Sequence, residues 1–234
     1  MVFIIGNLTS ISVSASPVEP IYFYASQTGK PTLDQGEGGG NPFASAIVDI
    51  LARDKLTFET FIDDLIDLTR KKSRGFQRAE MVSKVNLGAW QLLPKPSTEK
   101  RIALVLVFSD YRISGAISLP GAKNDLNRIS KSLAEAEFEV QTAIDPDKSK
   151  LNRILKDFYE RSKTSDVAVL YTTGHGVEVN GIIYLIPGDY PLEYGKSKLN
   201  ERAIRLTRIG NAVQAKKVNL VFYGGCRNNP FYEP

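Results

Sequence analysis

The chain has 234 residues, 42% of them hydrophobic, which supplies one α/β domain with a substantial core. Its net charge of +4 is spread out, and the densest basic run (Arg70, Lys71, Lys72, Arg74, then Arg78) reads as a helix end complementing the dipole, so nucleic acid is not an expected partner. A single cysteine excludes an internal disulfide and fits a reducing, cytoplasmic setting, and no apolar stretch is long enough to span a bilayer, so no membrane association is expected.

In chain order, Met1 to Ser16 is mildly apolar and ends in small residues, like a secretory leader. It lacks a basic start and is broken by Gly6, Asn7 and Thr9, so residues 1–20 read as a flexible arm or a loosely held edge strand. Ile21 to Ala25 is a short run of β-formers, and the glycine-rich segment Thr28 to Asn41 is a loop. Apolar residues then recur at helical spacing in Pro42 to Asp54 and in Thr57 to Lys72, with Asn41 and Thr57 as N-caps and Pro42 in a first turn. Ala89 to Leu92 suggests a short strand, and Leu93 to Arg101, with two prolines and four charged residues, suggests an exposed linker.

Beyond the linker the pattern alternates. Strands are expected over Ile102 to Phe108, Phe138 to Thr142, Asp166 to Tyr171 and Val218 to Tyr223, and helices over Asn124 to Ala136, Lys148 to Lys163 and Leu199 to Gln214. Apolar strands separated by helices imply an α/β fold with a mostly parallel sheet of about six strands, flanked by helices on both faces. Chemistry in such a sheet belongs at the carboxyl ends of its strands.

Two strand ends carry reactive groups. Asp166 to Tyr171 runs into Thr172-Thr-Gly-His175-Gly176, and Val218 to Tyr223 runs into Gly224-Gly225-Cys226-Arg227. The sole histidine and the sole cysteine therefore emerge at one edge of a parallel sheet. A free thiol is mostly protonated at neutral pH, and an adjacent imidazole can take its proton, so Cys226 reads as a nucleophile and His175 as its general base. Taken singly, the cysteine would read as a small buried hydrophobe and the histidine as surface or satisfied core; the pairing in two glycine-rich turns favours chemistry. The amides of Gly176 and Cys226 are candidate oxyanion donors. No Gly-x-Gly-x-x-Gly follows a strand, which argues against a nucleotide-binding domain, and no metal-ligand cluster is visible.

The segments Val169 to Asp189 and Val221 to Phe231 resemble the histidine and cysteine motifs of caspase-like peptidases and metacaspases, and a histidine about 50 residues upstream of the cysteine is the caspase spacing. Arg101 to Asp125, with an opening strand, a tyrosine and a Gly-x-x-Asn-Asp turn, resembles the first strand and loop of the same fold. Ile21 to Leu92, with Tyr24-Ala25-Ser26-Gln27 and Asn41-Pro42-Phe43-Ala44, resembles the small-subunit portion, which in the family follows the cysteine. The resemblance thus implies one circularly permuted caspase-hemoglobinase domain over 1–234: small-subunit-like 1–92, linker 93–101, large-subunit-like 102–234. Such a chain would need no cleavage of the usual intersubunit connection to assemble its site.

The resemblance further implies a peptide or protein substrate and a monomer or homodimer. No cofactor is implied; calcium activates some metacaspases, but no acidic run marks a site here. Asp125 matches a metacaspase pocket aspartate by motif, and Asp34 falls near the place of a caspase pocket arginine, so basic P1 residues are the expected substrates. The alternatives are that Asp125 caps a helix beginning at Leu126 and that Asp34 is an exposed loop carboxylate. Gly224-Gly225 replaces the more usual Asp-Ala, which leaves a catalytically degenerate interaction module as the competing function.

Overall fold

The computed structural model describes residues 18–83, 87–88 and 90–229. Met1 to Ser16, Ala89 and the last two positions of the cysteine motif, Pro230 and Phe231, lie outside them. The central sheet is built from β1 (Ile21–Tyr24), β3 (Glu80–Val82), β5 (Arg101–Val107), β6 (Glu139–Ile144), β7 (Val167–Thr173) and β11 (Val218–Tyr223), in the order β3-β1-β11-β7-β5-β6. All neighbours are parallel except β3, which runs antiparallel to β1 along one edge. Strands β5, β7 and β11 are buried along their whole length, as runs such as Arg101-Ile-Ala-Leu-Val-Leu-Val require when both faces are covered.

One face carries α1 (Pro42–Leu51), α2 (Phe58–Lys72) and α3 (Pro120–Glu135), packed on Phe23, Val105, Tyr171 and Phe222. The other carries α4 (Lys148–Ser162), α5 (Leu199–Arg202), α6 (Leu206–Gly210) and a small antiparallel sheet of β8 (Gly176–Val179), β9 (Ile182–Leu185) and β10 (Ile204–Arg205), packed on Leu104, Leu170 and Val221. The architecture is the expected one: six strands, mostly parallel, with helices on both faces. Asn41 caps α1 through Phe43 N–H and Pro42 opens it; Thr57 caps α2 and forms a reciprocal pair with Thr60. The basic run Arg70, Lys71 and Lys72 fills the last turn of α2, as expected.

Two expectations are corrected, and one hairpin is additional to them. Leu199 to Gln214 is not one helix but α5, β10 and α6, because Ile204 and Arg205 pair with β9. The β8–β9 hairpin after His175, which turns at Asn180-Gly181 with positive φ at both, was not anticipated although Asn-Gly is its sequence signal. The segment Leu93 to Arg101 is not an exposed linker throughout. Leu93 closes β4 (Gln91–Leu93), which pairs with β2 (Leu56–Thr57), and Glu99 and Arg101 are buried as an ion pair. Arg101 Nη1 also donates to the Leu92 carbonyl at 2.7 Å, and its guanidinium lies over Trp90 and Phe138; burial pushes its pKa down. Elsewhere the strand at Phe138 to Thr142 lies two residues further on at its C-terminal end, and α3 starts four residues early.

Candidate active site

The parallel ladder between β7 and β11 runs in register from Val167↔Val218 to Thr172↔Tyr223. Both chains therefore leave the sheet at the same level and on the same edge, one toward His175 and the other toward Cys226. The two turns touch. An added Cβ on Gly176 would lie 2.8 Å from the Cys226 carbonyl oxygen and 1.7 Å from the Tyr223 hydroxyl, so only glycine lets the histidine turn come this close. Tyr223 Oη donates to the Cys226 carbonyl at 3.1 Å, closing the cysteine turn from below.

His175 and Cys226 are both half-buried. The His175 ring has two contacts and its backbone a third. Its Nε2 is 2.7 Å from the Ile117 carbonyl, its backbone N–H donates to Tyr111 Oη at 2.8 Å, and the Tyr111 ring meets it edge-on with centroids 4.4 Å apart. A carbonyl can only accept, so Nε2 carries a proton and Nδ1 is the nitrogen left to act as a base. Burial drives the Tyr111 hydroxyl above the ordinary tyrosine range, and it stays protonated to donate to the Ile186 carbonyl at 2.9 Å.

The Cys226 sulfur faces the glycine-rich loop. Among the described residues its hydrogen-bond contacts are all with Thr32: the Thr32 N–H donates to Sγ at 3.3 Å, the hydroxyl lies 3.4 Å away, and the thiol points at the Thr32 carbonyl at 3.8 Å. Beside it Arg227 is buried and anchors the turn through Glu178 (2.8 Å), Glu80, the Ser26 carbonyl and the Tyr24 ring. Asn41 joins four segments: its side chain donates to the Gly224 and Leu33 carbonyls and accepts from Phe43 N–H, and its backbone N–H donates to Asp125.

The two pocket candidates sit on facing elements. Asp125 is fully buried within α3 and accepts from Asn41 N–H and Tyr171 Oη, both at 3.2 Å. Its second oxygen has no hydrogen-bond partner among the described residues and lies 3.6 Å from Arg128 Nη1. Burial raises its pKa to about 7, against the pull of Asn41, Arg128 and Tyr171. Asp125 is not the N-cap of a helix beginning at Leu126: α3 already starts at Pro120, and its N-cap residue, Leu119, offers no side-chain acceptor. Asp34 fills that need from another segment. Its two oxygens accept from Gly121 and Ala122 N–H at 2.9 Å each, so Asp34 is a cap supplied across the fold and not merely an exposed loop carboxylate.

Sequence reasoning singled out His175, Cys226, Gly176, Asp125 and Asp34 but not Thr32 or Ile117. Ile117 acts through its main-chain carbonyl, which leaves no mark in composition, and Thr32 lies 194 positions from the cysteine it touches. Among the described residues no group of three or more His, Cys, Asp or Glu side chains is placed to hold a metal ion, and no helix is long and apolar enough to cross a membrane.

Comparison with curated proteins gives no match. A family model described as Caspase domain matches residues 100–233, a span that runs from the start of β5 through both turns of the site. That is more than half of the chain, and the chain belongs to the caspase-domain family.

Proposed function

We propose that this protein is a cysteine endopeptidase in which Cys226 is the nucleophile, His175 the general base, and the amides of Gly176 and Cys226 the oxyanion donors. The observation that carries the reading is the β7–β11 register, which brings the only imidazole and the only thiol of the chain to one sheet edge in two touching turns. With Nε2 committed to Ile117, Nδ1 takes the thiol proton and the thiolate attacks the peptide carbonyl carbon. The oxyanion rests on the two amides. The imidazolium then gives its proton to the leaving amine as the C–N bond breaks, which leaves a thioester on Cys226. Water, deprotonated by the same nitrogen, hydrolyses the thioester and returns the thiol.

Lysine or arginine is the favoured residue before the scissile bond. Asp125 has an oxygen without a hydrogen-bond partner among the described residues, and a substrate cation would supply the countercharge that Arg128 gives it only at a distance; Asp34, whose oxygens cap α3, adds negative charge nearby. Residues 21–92 are read as the small-subunit-like portion of one permuted domain. Support comes from β1, which extends the sheet past β11, and from the loop after β1, which reaches the candidate nucleophile.

One observation favours a second function, an interaction module without catalysis: Gly224 stands where an aspartate is usual. A thiol-reactive peptide electrophile separates the two. Enzyme chemistry predicts labelling of Cys226 that His175→Ala abolishes, followed by cleavage of peptides with arginine or lysine at P1 over aspartate or alanine. Labelling indifferent to His175 would support the module, and cleavage after aspartate alone would refute the basic preference.

A further inference from the structure

We propose that Thr32 is a catalytic residue of this site, stabilising the Cys226 thiolate with its backbone N–H and its hydroxyl; the inference rests on Cys226 being the nucleophile. Thr32 lies in the loop that follows β1, far in sequence from both motifs, yet its N–H and Oγ1 stand 3.3 and 3.4 Å from the sulfur. Both are within the range of hydrogen bonds to sulfur, and the N–H is a donor whatever the protonation state of the thiol.

The hydroxyl serves both states. Oγ1 is also 3.3 Å from the Gly224 carbonyl. When Cys226 carries its proton, the hydroxyl hydrogen rests on that carbonyl and an oxygen lone pair faces the thiol. When the proton has gone to the imidazole, rotation about Cβ–Oγ1 turns the hydroxyl hydrogen onto the sulfur. Hydrogen bonds to an ionised acceptor are about twice as strong as neutral ones, so both contacts strengthen on ionisation and favour the thiolate over the thiol.

The loop is built to hold this geometry. Leu33 N–H donates to Gln77 at 2.9 Å, the Leu33 carbonyl accepts from Asn41 at 2.8 Å, and Asp34 is fixed on α3 by two bonds. On the other side, Gly29 and Lys30 exchange backbone hydrogen bonds with Arg227, the residue after the cysteine. Thr32 is therefore carried by the same frame as the sulfur, and the backbone N–H needs no movement and the hydroxyl only a turn about Cβ–Oγ1 when charge develops.

The test is the pH dependence of Cys226 alkylation by iodoacetamide in the full chain, for wild type, Thr32→Val, Thr32→Ser, Thr32→Ala and His175→Ala, with near-ultraviolet circular dichroism as the check on folding. Thr32→Val and Thr32→Ala should move the midpoint upward by about 0.5 to 1 pH unit, the worth of one lost hydrogen bond, and Thr32→Ser should restore it. On a cleavable peptide the same two variants should lower kcat with KM little changed. Coincident profiles for folded Thr32→Val, Thr32→Ala and wild type would overturn the proposal. An absent effect of His175→Ala would instead sink the dyad and leave the Thr32 shift standing.

Discussion

Asp125 is where a single side chain most affects the behaviour of the protein. Its folded pKa of about 7 lies above the ordinary carboxylate value of about 3.9, because burial disfavours its charge. The native state therefore holds this proton more tightly than the unfolded chain does. The stability it confers is complete below about pH 4 and is lost as pH rises to about 7. Asp125→Asn keeps an acceptor for Asn41 and cannot ionise, so urea unfolding at pH 5 and pH 8 should show the wild type losing on the order of 2–3 kcal/mol more than the variant. Equal losses would show that Asp125 keeps an ordinary pKa. Gly176 poses a steric question of the same size. Gly176→Ala should remove activity and destabilise the fold, since its new methyl meets the Tyr223 hydroxyl. Tyr223→Phe should recover part of the stability in the double variant but not the activity, because the Cys226 carbonyl stays in the way. A double-mutant cycle in urea measures the coupling, and strict additivity would refute the clash.

At the scale of elements, α3 depends on a residue it does not contain. Leu119 cannot cap it, and the two donors at Gly121 and Ala122 are satisfied by Asp34 from the glycine-rich loop. Asp34→Ala should cost about 1–2 kcal/mol in urea unfolding, as loss of a cap does, and Asp34→Asn less. A change within error for Asp34→Ala would mean water replaces the carboxylate without penalty. The same contact explains why the start of α3 was not legible in the sequence. Asn124 looked like a beginning because the capping residue lies 87 positions upstream of Gly121, and no local pattern reports it. Elements set by local rules were legible: Asn41-Pro42 and Thr57 begin α1 and α2, and unbroken apolar runs give β5, β7 and β11. Elements that exist only by pairing were not. Ile204-Arg205 is a strand because β9 lies beside it, and Glu80–Val82 because β1 does. The site divides along the same line. The candidates His175 and Cys226 stand at glycine-rich strand ends that the sequence marks, whereas Thr32 and the Ile117 carbonyl reach them through tertiary folding.

Across the whole molecule, the portion before the linker and the portion after it share one sheet and one core. β1 adds to β11 in parallel register, Phe23 stacks on Phe222 with centroids 4.9 Å apart, and Phe61 meets both rings. Around the site, Asn41 reaches Gly224, Thr32 reaches Cys226, and Arg227 reaches Glu80 and the Ser26 carbonyl. The covalent link between the portions is exposed in its middle, at Pro96, Ser97 and Thr98, as well as at Pro94 and Lys100, and its ends are anchored by Leu93 in β4 and by the buried Glu99–Arg101 pair. That middle contributes no side chain to core or site, so its main role is to keep the two portions at high effective concentration. A protease site inserted after Ser97 and cut in the folded protein should therefore leave one particle on size exclusion at low micromolar concentration. Electrophile labelling of Cys226 should persist, and the thermal midpoint should fall and become dependent on protein concentration, as for any two-chain complex. Separation of the fragments, or loss of labelling while they remain together, would show that the connection itself shapes the site, against the arrangement in which strand pairing and the loop after β1 carry it.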